Sequence, residues 1–132
     1  MSKPTEADAE LLLQIFAIMR TDEDARKATW WVFEELEEQS YDEFKAKYPM
    51  GSEGNRNFKT FASYCEVIGT LVNKNLLSED IVFDAWGNLL WDKLKPIVLG
   101  MRKDMGIPRL MENYEIFANK YPKWEEKNPP KV

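Results

Sequence analysis

Apolar side chains recur at intervals of three and four residues along most of this sequence. The clearest run comprises Phe58, Phe61, Cys65, Ile68 and Val72. Such spacing places all five on one face of an α-helix. No window alternates apolar and polar residues for long enough to form a strand. The pattern therefore predicts an all-α fold.

Helix starts are marked by hydroxyl residues placed three positions before a carboxylate, as at Thr5, Thr21 and Ser40, because the hydroxyl can accept from a first-turn amide. Glycine and proline mark the ends. Together these signals predict six helices, over residues 6–20, 22–39, 41–47, 56–74, 79–104 and 108–121. Pro96 is expected to bend or split the fifth helix near Lys93, because proline removes an amide donor.

The connection at residues 75–77 is short, so the fourth and fifth helices should form an antiparallel hairpin. We expect this hairpin at the centre of a compact bundle of five to seven helices. The length of 132 residues fits one domain. We expect residues 1–121 to form that domain and residues 122–132, which are mostly polar and contain Pro129 and Pro130, to form a flexible C-terminal tail.

Composition excludes several classes of chemistry. The chain has no histidine and one cysteine, so it cannot build a zinc site of Cys and His ligands, an internal disulfide or a Ser-His nucleophile pair. The net charge of −5 argues against nucleic acid as a partner. The longest apolar stretch, residues 11–19, is too short to cross a bilayer, and no basic segment precedes it. We expect a cytoplasmic protein without membrane insertion.

Three tryptophans stand off the apolar stripes of their helices. Trp30 and Trp31 lie on either flank of the face opposite the stripe formed by Ala25 and Ala28, and Trp91 lies off its own stripe. One interpretation is a central helix surrounded by neighbours. The other is that a tryptophan anchors a partner, since tryptophan is enriched at interfaces. Both stay open, and Trp30, Trp31 and Trp91 are the interface candidates.

Acidic clusters are the main candidates for metal chemistry. Glu34, Glu35 and Glu38 resemble the metal-binding motif of all-α nucleotide pyrophosphohydrolases, in which helical carboxylates bind magnesium. That family needs a second acidic pair, for which Asp80 and Asp84 have a different spacing. A solvated acidic helix end is the favoured interpretation, and we expect no cofactor and no metal.

Glu66 lies at the edge of the large apolar stripe of the fourth helix. A partly buried carboxylate usually requires a partner. We expect a structural ion pair between Glu66 and either Arg102 or Arg109.

The second half of the chain resembles a bacterial family of helical domains, the DUF4760 domains (domain of unknown function). The resemblance covers residues 61–121 and is carried by the segments Tyr-Cys-Glu-Val-Ile-Gly at 64–69, Leu-Leu-Ser-Glu-Asp at 76–80 and Trp-Asp-Lys-Leu-Lys-Pro-Ile at 91–97. Glu66, Pro96 and Arg102 match the family pattern, whereas Cys65 replaces an aromatic residue. The resemblance implies a helical domain without an assigned activity.

These observations favour a non-enzymatic protein-interaction domain that binds a protein partner or self-associates. The alternatives are a magnesium- or manganese-dependent phosphohydrolase using the acidic clusters, and a bundle that binds a small ligand among its aromatic side chains.

Overall fold

The computed structural model describes residues 3–132, and these residues form eight α-helices. In chain order they are α1 (Glu6–Thr21), α2 (Glu23–Glu34), α3 (Tyr41–Lys47), α4 (Glu53–Asn73), α5 (Glu79–Trp86), α6 (Trp91–Met105), α7 (Glu112–Ala118) and α8 (Tyr121–Lys127). The predicted all-α fold class and compact bundle are confirmed. No strand occurs within the described residues.

Helix α4 is the centre of the bundle. Its predicted stripe, from Phe58 to Val72, is buried throughout. Helix α4 packs most extensively against α7 and α2, rather than against the helix that follows it in the sequence. Small residues allow these helices to pack closely. Gly69 of α4 lies against α7, and α2 buries Ala25 and Ala28.

The helix predicted over residues 79–104 is divided into α5 and α6, and the break lies before Pro96. Gly87 ends α5 with a φ of 60°, and Leu89 and Leu90 both have left-handed backbone. The buried hydroxyl of Tyr114 donates a hydrogen bond to the carbonyl of Leu89. This bond helps to hold a connection that the sequence pattern did not predict.

The segment expected to be a tail from residue 122 instead begins within α8. The Trp124 ring packs against Phe83 at a centroid distance of 5.8 Å, and its indole Nε1 donates to Asp80 over 2.8 Å. This aromatic contact extends the folded domain to about Lys127. Only the last few residues remain outside a helix.

None of the helices described in residues 3–132 combines the length and the apolar character that a membrane-spanning segment requires. The longest, α4, carries charged residues such as Arg56 and Lys59 along its length.

Candidate functional site

The three candidate tryptophans have different environments. Trp91 is 2% exposed and packs edge-on against Tyr114, with ring centroids 4.8 Å apart. Trp31 is 7% exposed and packs against Tyr48 at 5.0 Å. Both are core residues, which corrects their assignment as interface candidates. Trp30 is 57% exposed and stays a candidate.

Helices α1 and α2 carry further exposed apolar side chains besides Trp30. Phe33 lies one turn further along α2 and is 58% exposed. On α1, Leu13 and Phe16 are also exposed and lie one turn apart. We call Leu13, Phe16, Trp30 and Phe33 the α1–α2 face. Helix α1 buries only Ile15 fully, so much of its apolar surface remains accessible.

A groove of about 550 Å³ opens within this face. Phe16 and Phe33 border it, and residues of the α5–α6 connection, including Leu89 and Leu90, also line it. Its polar lining includes Arg20, whose guanidinium lies 5.5 Å from the centre of the Phe16 ring. Phe16 and Phe33 therefore border the groove, whereas Trp30 lines a separate cavity together with Trp31 and Tyr48.

Phe16 and Phe33 were not among the candidates that the sequence pattern predicted. A signal was present, because Phe33 lies three residues after Trp30 and off the stripe formed by Ala25, Ala28 and Val32. Two aromatic residues one turn apart on the polar side of a helix indicate a surface patch.

Charges on α2 lie on both sides of Trp30. Arg26 and Lys27 precede it by about one turn, and Glu34 follows it by the same interval. All three are exposed. Lys27 pairs with Glu23 of the same helix at 3.4 Å, whereas Arg26 makes no ion pair within residues 3–132.

Glu66 does not form the expected ion pair with Arg102 or Arg109. Its Oε1 accepts from the backbone amide of Tyr114 at 2.9 Å, and its Oε2 accepts from Asn113 Nδ2 at 3.0 Å. The carboxylate therefore satisfies donors in the first turn of α7, where helix amides lack partners. The role of Glu66 is to join α4 to α7.

The two arginines bind other carboxylates. Arg102 Nη1 lies 2.8 Å from Glu115, and its Nε donates to the carbonyl of Leu110 at 2.7 Å. Arg109 pairs with Glu112 at 2.8 Å on the surface. Arg109 and Glu112 are three residues apart in the sequence, whereas Arg102 and Glu115 come together only where α6 packs against α7.

The acidic residues considered for metal binding are separated. Helix α2 ends at Glu34, so Glu35 and Glu38 do not share a helical face with it. Glu38 lies 3.6 Å from Lys47. Asp80 accepts from Trp124, and Asp84 lies 3.2 Å from Lys131. Within residues 3–132, no three His, Cys, Asp or Glu side chains are grouped closely enough to hold a metal ion.

Cys65 lies in the core beside Tyr114 and is inaccessible. Burial raises the pKa of the Cys65 thiol, which keeps it protonated. A buried, protonated thiol is a poor nucleophile, so Cys65 acts as a packing residue.

Comparison with known proteins identifies a family and no activity. The family model described as "Domain of unknown function (DUF4760)" matches residues 4–124. The match extends the resemblance carried by Glu66, Pro96 and Arg102 into the first half of the chain, including α1 and α2. No curated protein and no solved structure matches the chain. Because the family model spans nearly the whole sequence, the chain belongs to the DUF4760 family.

Proposed function

We propose that this chain is a non-enzymatic interaction domain that self-associates through the α1–α2 face. The observation that carries the proposal is the exposure of Phe16 and Phe33 at an apolar groove, with Trp30 exposed one turn before Phe33 on α2. An exposed apolar patch of a few hundred Å² is often a functional surface.

The size of the face suits a second copy of the chain. At the observed exposures, three aromatic side chains and one leucine present about 400 Å² of apolar surface, and two copies would cover about twice that. A polar rim around such a core brings the buried area towards the roughly 1,200–2,000 Å² of a stable interface. Trp30 lies one turn before Phe33, which borders the groove, so each copy can supply both parts of a two-fold contact.

Charge complementarity favours an antiparallel arrangement of the two α2 helices. If they cross at Trp30, residues equally far before and after it lie opposite one another. Arg26 of one copy then faces Glu34 of the second copy, and the two-fold axis repeats the pair. Two ion pairs would flank the aromatic centre, which is the usual arrangement of polar rim and apolar core.

A charge exchange tests this arrangement. Arg26→Glu and Glu34→Arg each place like charges opposite one another, so each should weaken the dimer about tenfold. The double variant Arg26→Glu/Glu34→Arg restores opposite charges and should recover the dimer. Sedimentation equilibrium over a range of protein concentrations measures the dissociation constant.

The aromatic centre is tested with Trp30→Ala, which should weaken the dimer by about 30-fold, as expected of an interface anchor. Val67→Ala is the matched control, because Val67 is 56% exposed on α4, outside the face. A wild-type chain that stays monomeric at about millimolar concentration would contradict self-association. Single charge variants that weaken the dimer without recovery in the double variant would contradict the antiparallel crossing.

A further inference from the structure

A second cleft, separate from the α1–α2 face, concentrates positive charge. It has a volume of about 820 Å³ and lies between the start of α1, the α4–α5 connection and α8. Four lysines line it: Lys3, Lys120, Lys123 and Lys127. Only two carboxylates, Asp8 and Glu79, do so. This lining has the opposite sign to the whole chain, whose net charge is −5.

The two carboxylates of the cleft already have partners. Asp8 accepts from the backbone amides of Thr5 at 2.7 Å and Ser78 at 2.9 Å. Glu79 lies 4.0 Å from Lys120. By contrast, Lys123 and Lys127 form no ion pair with any residue from 3 to 132. The cleft therefore keeps positive charge that its own acidic residues do not neutralise.

The cleft also has an apolar side. Trp124 lines it, and its ring is fixed by stacking on Tyr121 and by the hydrogen bond from Nε1 to Asp80. Leu76, in the α4–α5 connection, lines the cleft and is 64% exposed. A ligand could thus contact an apolar surface and several ammonium groups at the same time.

The start of α5 also borders the cleft. Ser78 precedes this helix, but its hydroxyl makes no hydrogen bond to the first-turn amides. Ser78 and Glu79 both line the cleft. The amide end of a helix carries partial positive charge, but the carboxylates of Asp8, Glu79 and Asp80 offset it here. The positive charge of the cleft therefore comes from its lysines.

We propose that this cleft binds a small phosphate monoester with an apolar body. The lysines would surround the phosphate, and Trp124 and Leu76 would contact the body of the ligand. Lysine suits a phosphate dianion because its ammonium group acts as a mobile point charge. The site does not depend on self-association, since none of its residues belongs to the α1–α2 face.

The test uses 1-naphthyl phosphate, which combines a phosphate dianion with a planar apolar body. The indole N–H signal of Trp124, assigned by Trp124→Phe, is followed by nitrogen–proton correlation NMR during titration. The naphthyl phosphate should shift this signal saturably. Inorganic phosphate and uncharged 1-naphthol should each bind about tenfold more weakly than naphthyl phosphate. Phosphate lacks the apolar body that contacts Trp124, and naphthol lacks the charge that contacts the lysines. Raising the salt concentration should weaken binding of the naphthyl phosphate.

Charge reversal identifies the lysines involved. Lys123→Glu and Lys127→Glu should each reduce the affinity for naphthyl phosphate about tenfold. Lys103→Glu is the matched control, because Lys103 is exposed on α6 and does not line this cleft. The Trp30→Ala variant should bind like the wild type, which separates this site from the proposed dimer.

Three results would overturn the proposal. The first is no saturable shift of Trp124 at about 10 mM naphthyl phosphate. The second is equal affinity for naphthol, and the third is unchanged affinity in both lysine variants. Thermal unfolding of each variant shows whether it remains folded, so that a loss of binding is attributed to charge.

Discussion

Gly69 of α4 lies against the backbone of Asn113 in α7, so closely that a Cβ atom on residue 69 would lie 2.5 Å from the Asn113 carbonyl oxygen. Two polar side chains of α4 accompany this contact. Glu66 accepts from Asn113 and Tyr114, and Asn73 Nδ2 donates to the Asn113 carbonyl at 3.1 Å. Residues 66, 69 and 73 share one side of α4, so this stripe fixes the start of α7.

The first prediction concerns the space at residue 69. Gly69→Ala should lower the free energy of unfolding by about 1–3 kcal/mol, although alanine is the better helix former, because the added methyl group separates α4 from α7. Urea denaturation measures the change. Ser63→Ala on the exposed side of α4 is the control and should change stability by less than about 0.5 kcal/mol. A Gly69→Ala variant as stable as the wild type would show that the two helices do not pack this closely.

The second prediction concerns Glu66, whose carboxylate accepts hydrogen bonds from the start of α7. Glu66→Gln should lower the free energy of unfolding by about 1–3 kcal/mol. The substitution replaces one carboxylate oxygen by an NH₂ group, which would face a donor of α7 instead of accepting from it. Glu112→Gln provides the comparison, since its partner Arg109 is on the surface. Equal melting temperatures for Glu66→Gln and the wild type would contradict the joining role of Glu66.

The third prediction compares two arginines that sequence alone could not distinguish. Arg102 is 15% exposed, and removing it in Arg102→Ala leaves both Glu115 and the Leu110 carbonyl without this donor. We expect Arg102→Ala to lower the free energy of unfolding by about 1–3 kcal/mol. Arg109 is 84% exposed, so Arg109→Ala should change stability by less than about 1 kcal/mol. Arg102→Lys should not recover stability, because one ammonium group cannot replace the planar guanidinium at both acceptors. Similar losses of stability in Arg102→Ala and Arg109→Ala would contradict the expectation that the more buried arginine contributes more to stability.

Much of the fold could be predicted because it depends on local spacing. The stripe from Phe58 to Val72 is buried as predicted, and the caps at Thr5 and Ser40 form with the expected hydrogen bonds. One cap was displaced: the predicted cap at Thr21 is formed instead by Asp22, whose carboxylate accepts from Ala25. Threonine and aspartate can both cap a helix, so the sequence could not decide which of these two adjacent residues is the cap.

The remaining features depend on contacts between distant parts of the chain. Leu89 and Leu90 have left-handed backbone that no local signal for leucine predicts. The partner of Glu66 was assigned to arginine because the approach of α7 could not be derived from spacing. Three of the four cleft lysines lie close together in the sequence, at 120, 123 and 127, but the cleft that they share with Lys3 and the α4–α5 connection forms only on folding.

The fourth prediction is a dependence of stability on pH through α3 and α6. The Tyr41 hydroxyl donates to Asp104 at 2.6 Å, and this bond raises the pKa of Tyr41 to about 12. The same bond, followed by that from Lys45, lowers the pKa of Asp104. Since the pKa of an unfolded tyrosine is near 10, the contribution of Tyr41 to stability is complete below pH 10. It is lost as the pH rises through about 12. The contribution of Asp104 to stability is complete above the pKa that this residue has in the unfolded chain. It is lost as the pH falls through the lower pKa of the folded state.

Two variants separate these effects from those of other residues. Tyr41→Phe should remove part of the decline in stability above pH 10, and Asp104→Asn should return the pKa of Tyr41 towards its ordinary value. Urea denaturation at several pH values measures the first, and titration of the tyrosine ring signals by NMR measures the second. The pKa values of other tyrosines are raised mainly by burial and serve as internal references: Tyr48, Tyr64 and Tyr121. An unshifted Tyr41 titration in Asp104→Asn would contradict the assigned cause.

The fifth prediction distinguishes the adjacent tryptophans of α2. Trp31 is in the core against Tyr48, so Trp31→Ala should cost about 3–5 kcal/mol of unfolding free energy. Trp30→Ala removes an exposed side chain and should cost less than about 1 kcal/mol in the monomer, while weakening the proposed dimer. Measurements at concentrations where the chain is monomeric separate folding from association. If Trp30→Ala destabilises the monomer as strongly as Trp31→Ala, Trp30 supports the core, and the α1–α2 face loses its proposed anchor.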